Sequence, residues 1–317
     1  MNKILQLTVD LIKDINIDIC FTLLEVGAVK ISEEEEPFYE LLDYFPSSKI
    51  VGFEIDKEVC DKMNLSARDG VKYYPHALGE FNESKKLYIT NHPMCSSLYK
   101  PNEDLISLYH NFEAAYLKSK TTIETITLDN FLEANNIGSL DFIKIDVQGY
   151  ELKVLQGAES SLMDILGLEV EVEFLELYKN QCSFGELKDY LFKHDFEFID
   201  FTSLTRWQRD AYRNSLGNCM GADALFLRSP EYVFAHHKED IDKLKAYLSI
   251  CLIYKRYDLI CITLKLFSLD KSKDFIKFFK ISTTLRRRLH AADRVSRFSN
   301  HIIGFCASET DNSRMFY

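Results

Sequence analysis

The run Asp141-Phe142-Ile143-Lys144-Ile145-Asp146-Val147-Gln148-Gly149-Tyr150-Glu151-Leu152-Lys153-Val154-Leu155-Gln156-Gly157-Ala158 decides the fold. Phe142, Ile143 and Ile145 form an almost continuous apolar run, the mark of a strand buried on both faces of a parallel sheet. The run stops at Asp146, and a glycine follows three residues later. Beyond it Leu152, Leu155 and Ala158 recur at three-residue intervals, with Val154 on the same side, which is helix spacing. A strand that ends in an acid and turns over glycine into a helix sets that acid at the carboxyl edge of a sheet. Open α/β folds bind their ligands at that edge.

Working outward, the same alternation repeats. Phe21 to Val26 reads as a strand running into Gly27, and a helix over 35–45 follows with Pro37 near its start. Ile50 to Glu54 is a second strand ending in an acid, followed by a helix over 56–65. Further strands are expected at 71–77, 86–90, 123–128, 168–174, 196–201 and 224–227, with helices at 129–135 and 184–194. Strands alternating with helices indicate an α/β fold with a doubly wound, mostly parallel sheet, closed by an antiparallel edge. Residues 2–15 read as an amphipathic helix. After Pro230 the pattern turns to helices alone, with Tyr254 to Asp258 as the turn of a helix pair. The expected organisation is an N-terminal helix over 1–19, an α/β domain over 20–229 and a basic helical extension over 230–317.

Charge divides along the same line. Residues 229–317 hold 16 Lys and Arg against 10 Asp and Glu, whereas residues 1–228 hold 22 against 39, within a net charge of −11. An acidic body repels phosphates, so nucleic acid is not the expected partner. The basic tail, densest at Arg286-Arg287-Arg288, suits a protein or another acidic surface. The eight cysteines contain no C-x-x-C spacing and read as free thiols in a reducing compartment. No stretch reaches the roughly 18 apolar residues of a membrane span, so a cytoplasmic location is expected.

Several chemistries are excluded by missing motifs. There is no P-loop, no G-x-S-x-G elbow, and no G-x-G-x-x-G after the first strand, so a pyrophosphate cradle and an NAD-type site are disfavoured. What remains is a set of polar groups at strand ends: Glu25 with Gly27, Glu54, and Asp146 with Gln148. Glu171 and Glu173 share a face of the next strand, since alternate strand residues point the same way. Glu54 suits the two hydroxyls of a ribose, although an acid there also serves as a helix cap, as Asp56 does equally well.

These residues resemble the FkbM-type family of S-adenosylmethionine-dependent methyltransferases. The likeness is carried by Phe142 to Ala158 and supported by Glu25-Val-Gly-Ala28, Phe53-Glu54, His76-Ala-Leu-Gly79, Cys95-Ser-Ser-Leu98 with Pro101-Asn102, and Thr127-Leu-Asp129. It spans roughly residues 20–228 and implies a class I, Rossmann-like methyltransferase fold that O-methylates a sugar, glycan or other small-molecule hydroxyl, leaving S-adenosylhomocysteine. Carried over by position, Glu25 and Gly27 border the methionine part of the cofactor. Glu54 holds the ribose, Ala77 and Leu78 lie near the adenine, and Asp146, Gln148 and Glu151 frame the cofactor and acceptor side. The first motif departs from the family, with Val29 and Ile31 where an Asn and a later glycine are usual. A loop so altered holds the cofactor differently or more loosely.

Methyl transfer from a sulfonium is a direct displacement, so alignment of the acceptor oxygen dominates and a base assists. Asp146 is the first catalytic candidate, then His92 (with His76 beside it) and Glu173. A divalent metal between Asp146 and an acid of the next strand fits the donor chemistry but is not favoured. The rival reading is a degenerate, non-catalytic methyltransferase-fold scaffold that presents its helical tail to a partner.

Overall fold

The structure, a computed structural model, describes residues 20–28, 36–211 and 216–269. The expected helix at 2–15, loop positions 29–31 and the arginine cluster at 286–288 lie outside the described residues.

The described residues form ten strands: β1 (Thr22–Val26), β2 (Lys49–Phe53), β3 (Val71–Tyr74), β4 (Ala77–Leu78), β5 (Glu83–Thr90), β6 (Leu117–Ile126), β7 (Phe142–Ile145), β8 (Gly167–Glu173), β9 (Phe196–Trp207) and β10 (Asn218–Arg228). Seven form one sheet in the order β3-β2-β1-β7-β8-β10-β9, and β4-β6-β5 form a small second sheet. In the large sheet β1, β2, β3, β7 and β8 run parallel. Strand β10 is antiparallel to β8 and to β9. The expected doubly wound α/β sheet with an antiparallel edge is therefore observed. The chain winds from β1 outward to β3, then returns to place β7 on the other side of β1. The carboxyl ends of β1 and β7 are thus the topological switch point, where open α/β sheets form their ligand crevice.

One face of this sheet is apolar. Leu24, Val26, Ile143, Ile145, Val170, Val172, Ala222 and Ala224 pack there with Phe131, Leu155 and Leu187 from the covering helices. Strand periodicity sends the alternate set, Glu25, Lys144, Glu169, Glu171 and Glu173, to the opposite face. The run Phe142 to Ile145 is thus buried on both faces, as expected, but one face carries charge. Burial alone would lower the Lys144 pKa; the carboxylates of Asp223, Glu169 and Glu36 instead raise it. Its Nζ lies 2.9 Å from Glu36 and 3.5 Å from Asp223.

Local differences from the sequence reading have local causes. The strand expected over 71–77 breaks at Pro75, which cannot donate to a ladder; β3 stops at Tyr74, and Ala77 and Leu78 pair with β6 in the other sheet. Strands β5, β6 and β9 extend beyond the expected limits because their outer residues are polar and exposed, so apolar runs mark only their inner halves; β10 extends back through buried Met220 and Ala222, where Gly221 and Asp223 interrupt the apolar pattern.

After Ser229 the described chain is helical, at Pro230–His237, Ile241–Ile253 and Tyr257–Leu269. One compact unit takes in the described residues up to Ile250, and those from Cys251 belong to a second. Within the first, Lys243 Nζ donates to Asp141 Oδ1 at 2.9 Å, the Leu140 carbonyl at 3.1 Å and the Asp164 carbonyl at 3.0 Å. The Tyr247 hydroxyl donates to the Arg228 carbonyl at 2.7 Å. Among the described residues no helix is long and apolar enough to cross a membrane.

Candidate active site

At the switch point the backbone itself is tightly fitted. Gly27 has φ +83°, and a Cβ built on it would stand 1.8 Å from the Asp146 carbonyl oxygen. The Asp146 N–H donates to the Val26 carbonyl at 2.9 Å, while the N–H groups of Gly27 and Ala28 donate to the Phe53 carbonyl at 3.2 and 3.0 Å. The ends of β1, β2 and β7 are thereby locked together, and only a residue without a side chain fits between them.

The turn after β7 is unusual backbone. Gln148 and Gly149 both lie in the left-handed region, at φ 58° and 91°. For glutamine that conformation is uncommon and persists only where surroundings hold it. Here Glu151, fully buried at the start of its helix, accepts from the N–H groups of Val147 at 2.9 Å and Gly149 at 3.0 Å through one oxygen, Oε1. The strained turn presents the Gln148 side chain to the crevice. Its amide donates to Asp146 Oδ1 at 2.9 Å and to Glu171 Oε2 at 2.6 Å. The Tyr178 hydroxyl lies 2.7 Å from Gln148 Oε1 and 3.0 Å from the Cys95 carbonyl, between which its proton is shared. Ser97 Oγ donates to the Gln148 carbonyl at 2.7 Å. The amide is therefore fixed in one orientation, with two carboxylates on its donor side and a phenol on its acceptor side.

Four carboxylates meet at this edge: Asp146, Glu151, Glu171 and Glu173. None forms an ion pair. One oxygen from each of Glu151, Glu171 and Glu173 lies within 4.8 Å of the others. Burial pushes Glu151 up to about 7, with the Asp146 charge adding to the rise. Glu171 is raised by burial and then by Asp146, and Glu173 by burial and then by Glu151 and Asp146.

These shifts carry a sign for stability. Glu151 titrates near 4.5 in the unfolded chain and near 7 in the folded one. Between those values the folded state holds the extra proton, so stability is greatest below about 4.5 and falls as pH rises through 7. In chelator-containing buffer the wild type is expected to melt lower at pH 8 than at pH 5.5. Glu151→Gln, whose amide oxygen can still accept both N–H bonds, should flatten that slope. Equal slopes in a pH series of thermal melts would refute the assignment.

The FkbM methyltransferase domain profile matches residues 25–198, more than half of the chain. The chain belongs to the FkbM methyltransferase family. Membership implies S-adenosylmethionine as methyl donor and a small-molecule acceptor. No curated protein sequence matches the chain. Among solved structures, a protein described as a candidate methyltransferase of Thermobifida fusca YX aligns at 11% identity with a TM-score of 0.34, covering 71% of this chain and 78% of that one.

Set against the FkbM motifs, the structure separates site residues from fasteners. Gly157 of the hallmark run is a fastener: its Cβ would stand 2.0 Å from the carbonyl oxygen of Gly79, the last residue of His76-Ala-Leu-Gly79. Thr127 caps the helix Leu128–Ala134, and Asp129 accepts from the N–H groups of Ser160 and Ser161, both at 2.9 Å. Asn102 binds the Glu176 carbonyl through its amide at 2.8 Å, and Pro101 bridges Tyr178, so this motif hangs Tyr178 over the site.

The sequence-derived site residues fall into groups. Asp146, Gln148 and Glu173 come together as described, and Gly27 abuts Asp146. Glu54 follows β2 directly, with its N–H bound to the Tyr74 carbonyl at 3.1 Å. It is not the helix cap, because Asp56 Oδ1 takes the N–H groups of Glu58 and Val59. Burial raises the Glu54 pKa, opposed by the Asp56 N–H that its carboxylate accepts at 2.8 Å. Ala77 and Leu78 are buried in β4, three residues beyond Tyr74. Glu25 is buried and accepts from the Tyr39 hydroxyl at 2.6 Å, with Tyr73 3.1 Å from the same hydroxyl. His92 is exposed; its loop reaches the cluster through Cys95 and Ser97, and the His92 ring makes no hydrogen bond to it. Tyr178 and the capping role of Glu151 were not read from sequence, and Pro101-Asn102 was the only trace of the former.

Proposed function

We propose that the protein transfers the methyl group of S-adenosylmethionine to a hydroxyl oxygen of a sugar, glycan or other small molecule, at the carboxyl ends of β1, β7 and β8. The observation that carries this reading is the Asp146 carboxylate at the switch point, fixed by the Gln148 amide at 2.9 Å. The cofactor supplies a methyl group on a cationic sulfur, and an acidic, part-desolvated edge is the environment that attracts such a cation. Gly27 is exposed at the switch point beside Asp146, and the partly exposed Glu54 carboxylate after β2 is assigned to the ribose. Asp146 is the group assigned to orient the acceptor hydroxyl and take its proton.

The acceptor side is supported by aromatic residues on the same edge. Strand β10 begins beyond the end of β8, where Asn218 pairs with Trp207. Trp207 stacks on Phe112 with ring centroids 4.4 Å apart, and its indole N–H donates to the His110 carbonyl at 2.6 Å. Broad amphipathic rings of this kind suit a sugar face. The seven described cysteines are free, in keeping with a cytoplasmic enzyme.

Two measurements test this. Titration calorimetry with S-adenosylhomocysteine should give a one-to-one complex, and labelled methyl donor should modify a hydroxyl acceptor from a glycan and small-molecule panel. A null titration at high protein concentration would instead favour the non-catalytic scaffold. Glu54→Ala is expected to weaken S-adenosylhomocysteine binding by about 10- to 100-fold, the equivalent of one or two charge-assisted hydrogen bonds at about 1.5–3 kcal/mol. Unchanged affinity would remove Glu54 from the ribose role.

A further inference from the structure

We propose that Glu151, Glu171 and Glu173 form a binding site for an oxygen-preferring divalent cation, Mg²⁺ or Mn²⁺. The three come from two rigid elements. Glu151 opens the helix after the left-handed turn, and Glu171 and Glu173 stand on one face of β8. One oxygen of each lies within 4.8 Å of the other two. Ligands on opposite sides of an ion at about 2.1 Å stand about 4.2 Å apart, so a small inward adjustment of the side chains brings all three onto a single small ion.

A second observation points to a ligand rather than to a chance gathering of acids. Glu173 is only 7% exposed, its carboxylate is aimed at Glu151 and Glu171, and no other residue donates a hydrogen bond to it or pairs with its charge. The donors at this edge are already committed. The Gln148 amide serves Asp146 and Glu171, and the Val147 and Gly149 N–H groups serve Glu151 Oε1. Glu151 Oε2 and both oxygens of Glu173 are left without a donor from another residue. Other buried charges among the described residues have partners, and Glu25 accepts from the Tyr39 hydroxyl. Lys144 meets Glu36 and Asp223, Lys243 meets Asp141, and Arg228 meets the carbonyls of Leu162, Ile165 and His194. An isolated buried carboxylate needs a cation or a proton to be tolerated. Three converging hard oxygens with free lone pairs are the donor set that Mg²⁺ and Mn²⁺ select. The set differs from the Asp146-centred one suggested by sequence, because the oxygens that converge are those of Glu151, Glu171 and Glu173.

The test uses the full-length protein without methyl donor, stripped with EDTA and titrated with MnCl₂ at pH 7.5 by electron paramagnetic resonance and by thermal melting. One saturable Mn²⁺ per chain at submillimolar concentration is expected, with a rise in melting temperature and competition by Mg²⁺. Glu173→Gln should weaken Mn²⁺ at least tenfold. In EDTA the same variant should melt above the wild type, because a like charge is gone, and Mn²⁺ should no longer raise it. If Glu173→Gln does not fold, Glu171→Gln is read in the same way. Absence of saturable Mn²⁺ binding to the wild type up to several millimolar overturns the site, and so does equal affinity in the variant. A separate S-adenosylhomocysteine titration with EDTA present reports on the methyltransferase reading alone, so the two failures are distinguishable.

Discussion

Gly27→Ala is expected to abolish S-adenosylhomocysteine binding and to lower stability by more than about 4 kcal/mol, at the far end of the range for single substitutions. Two independent penalties meet at this position. The backbone sits at φ +83°, which an L side chain adopts at a cost, and the added methyl would stand 1.8 Å from a backbone oxygen of Asp146. A flexible side chain could move aside; the carbonyl cannot, because its own peptide is held by the Val147 N–H on Glu151, with the Asp146 N–H on Val26 and the Gly27 N–H on Phe53. The only relief is to part β1 from β7, which opens the switch point where the ligand is proposed to bind. Circular dichroism melts and a binding titration on the soluble fraction check this. A variant that melts like the wild type and still binds would mean that the edges of β1 and β7 are not fitted as described.

Asp146→Asn should behave in the opposite way. The amide oxygen can still accept from Gln148 Nε2, so the turn keeps its hydrogen bond. Removing the Asp146 charge also relieves Glu151, Glu171 and Glu173, each of which it raises. The melting temperature is therefore expected to hold or rise by a few degrees. Turnover is expected to fall by about 10²- to 10⁴-fold, the usual contribution of a positioned acid or base. A drop in stability with activity preserved would make Asp146 a structural residue of the turn and move the proton-accepting role elsewhere on the edge.

The sequence reading reached furthest where local pattern and tertiary role coincide. The apolar run to Ile145, the acid after it and the helix spacing beyond are all local, and the strand, its carboxyl-end acid and the helix are found where that pattern sets them. Glu54 and Asp56 are indistinguishable as caps in the sequence because both lie within three residues of the start of the same helix. Only the backbone direction decides that Asp56 reaches the N–H groups of Glu58 and Val59. Tyr178 was invisible for a different reason. It lies in an irregular segment with no periodicity, and its placement depends on Asn102, 76 positions earlier in the chain. Lys144 looked like an interruption in an apolar strand; its partners Glu36 and Asp223 are remote in sequence, so its pairing could not be foreseen. Residues 83–90 and 117–126 were read too short because they are exposed strands with polar outer residues.

The place of β10 has a consequence for synthesis of the chain. The segment matched by the family profile ends at residue 198, yet β8, which carries Glu171 and Glu173, borrows its outer neighbour from residues 218–228. Asp141, at the base of β7, receives its cation from Lys243, later still. A nascent polypeptide that has emerged only as far as the profile reaches therefore holds its carboxylate edge on a strand with one open flank, a hazard for mispairing with other chains. This edge is complete only once β10 and Lys243 have emerged, so C-terminal truncations that cut before Lys243 are expected to destabilise it.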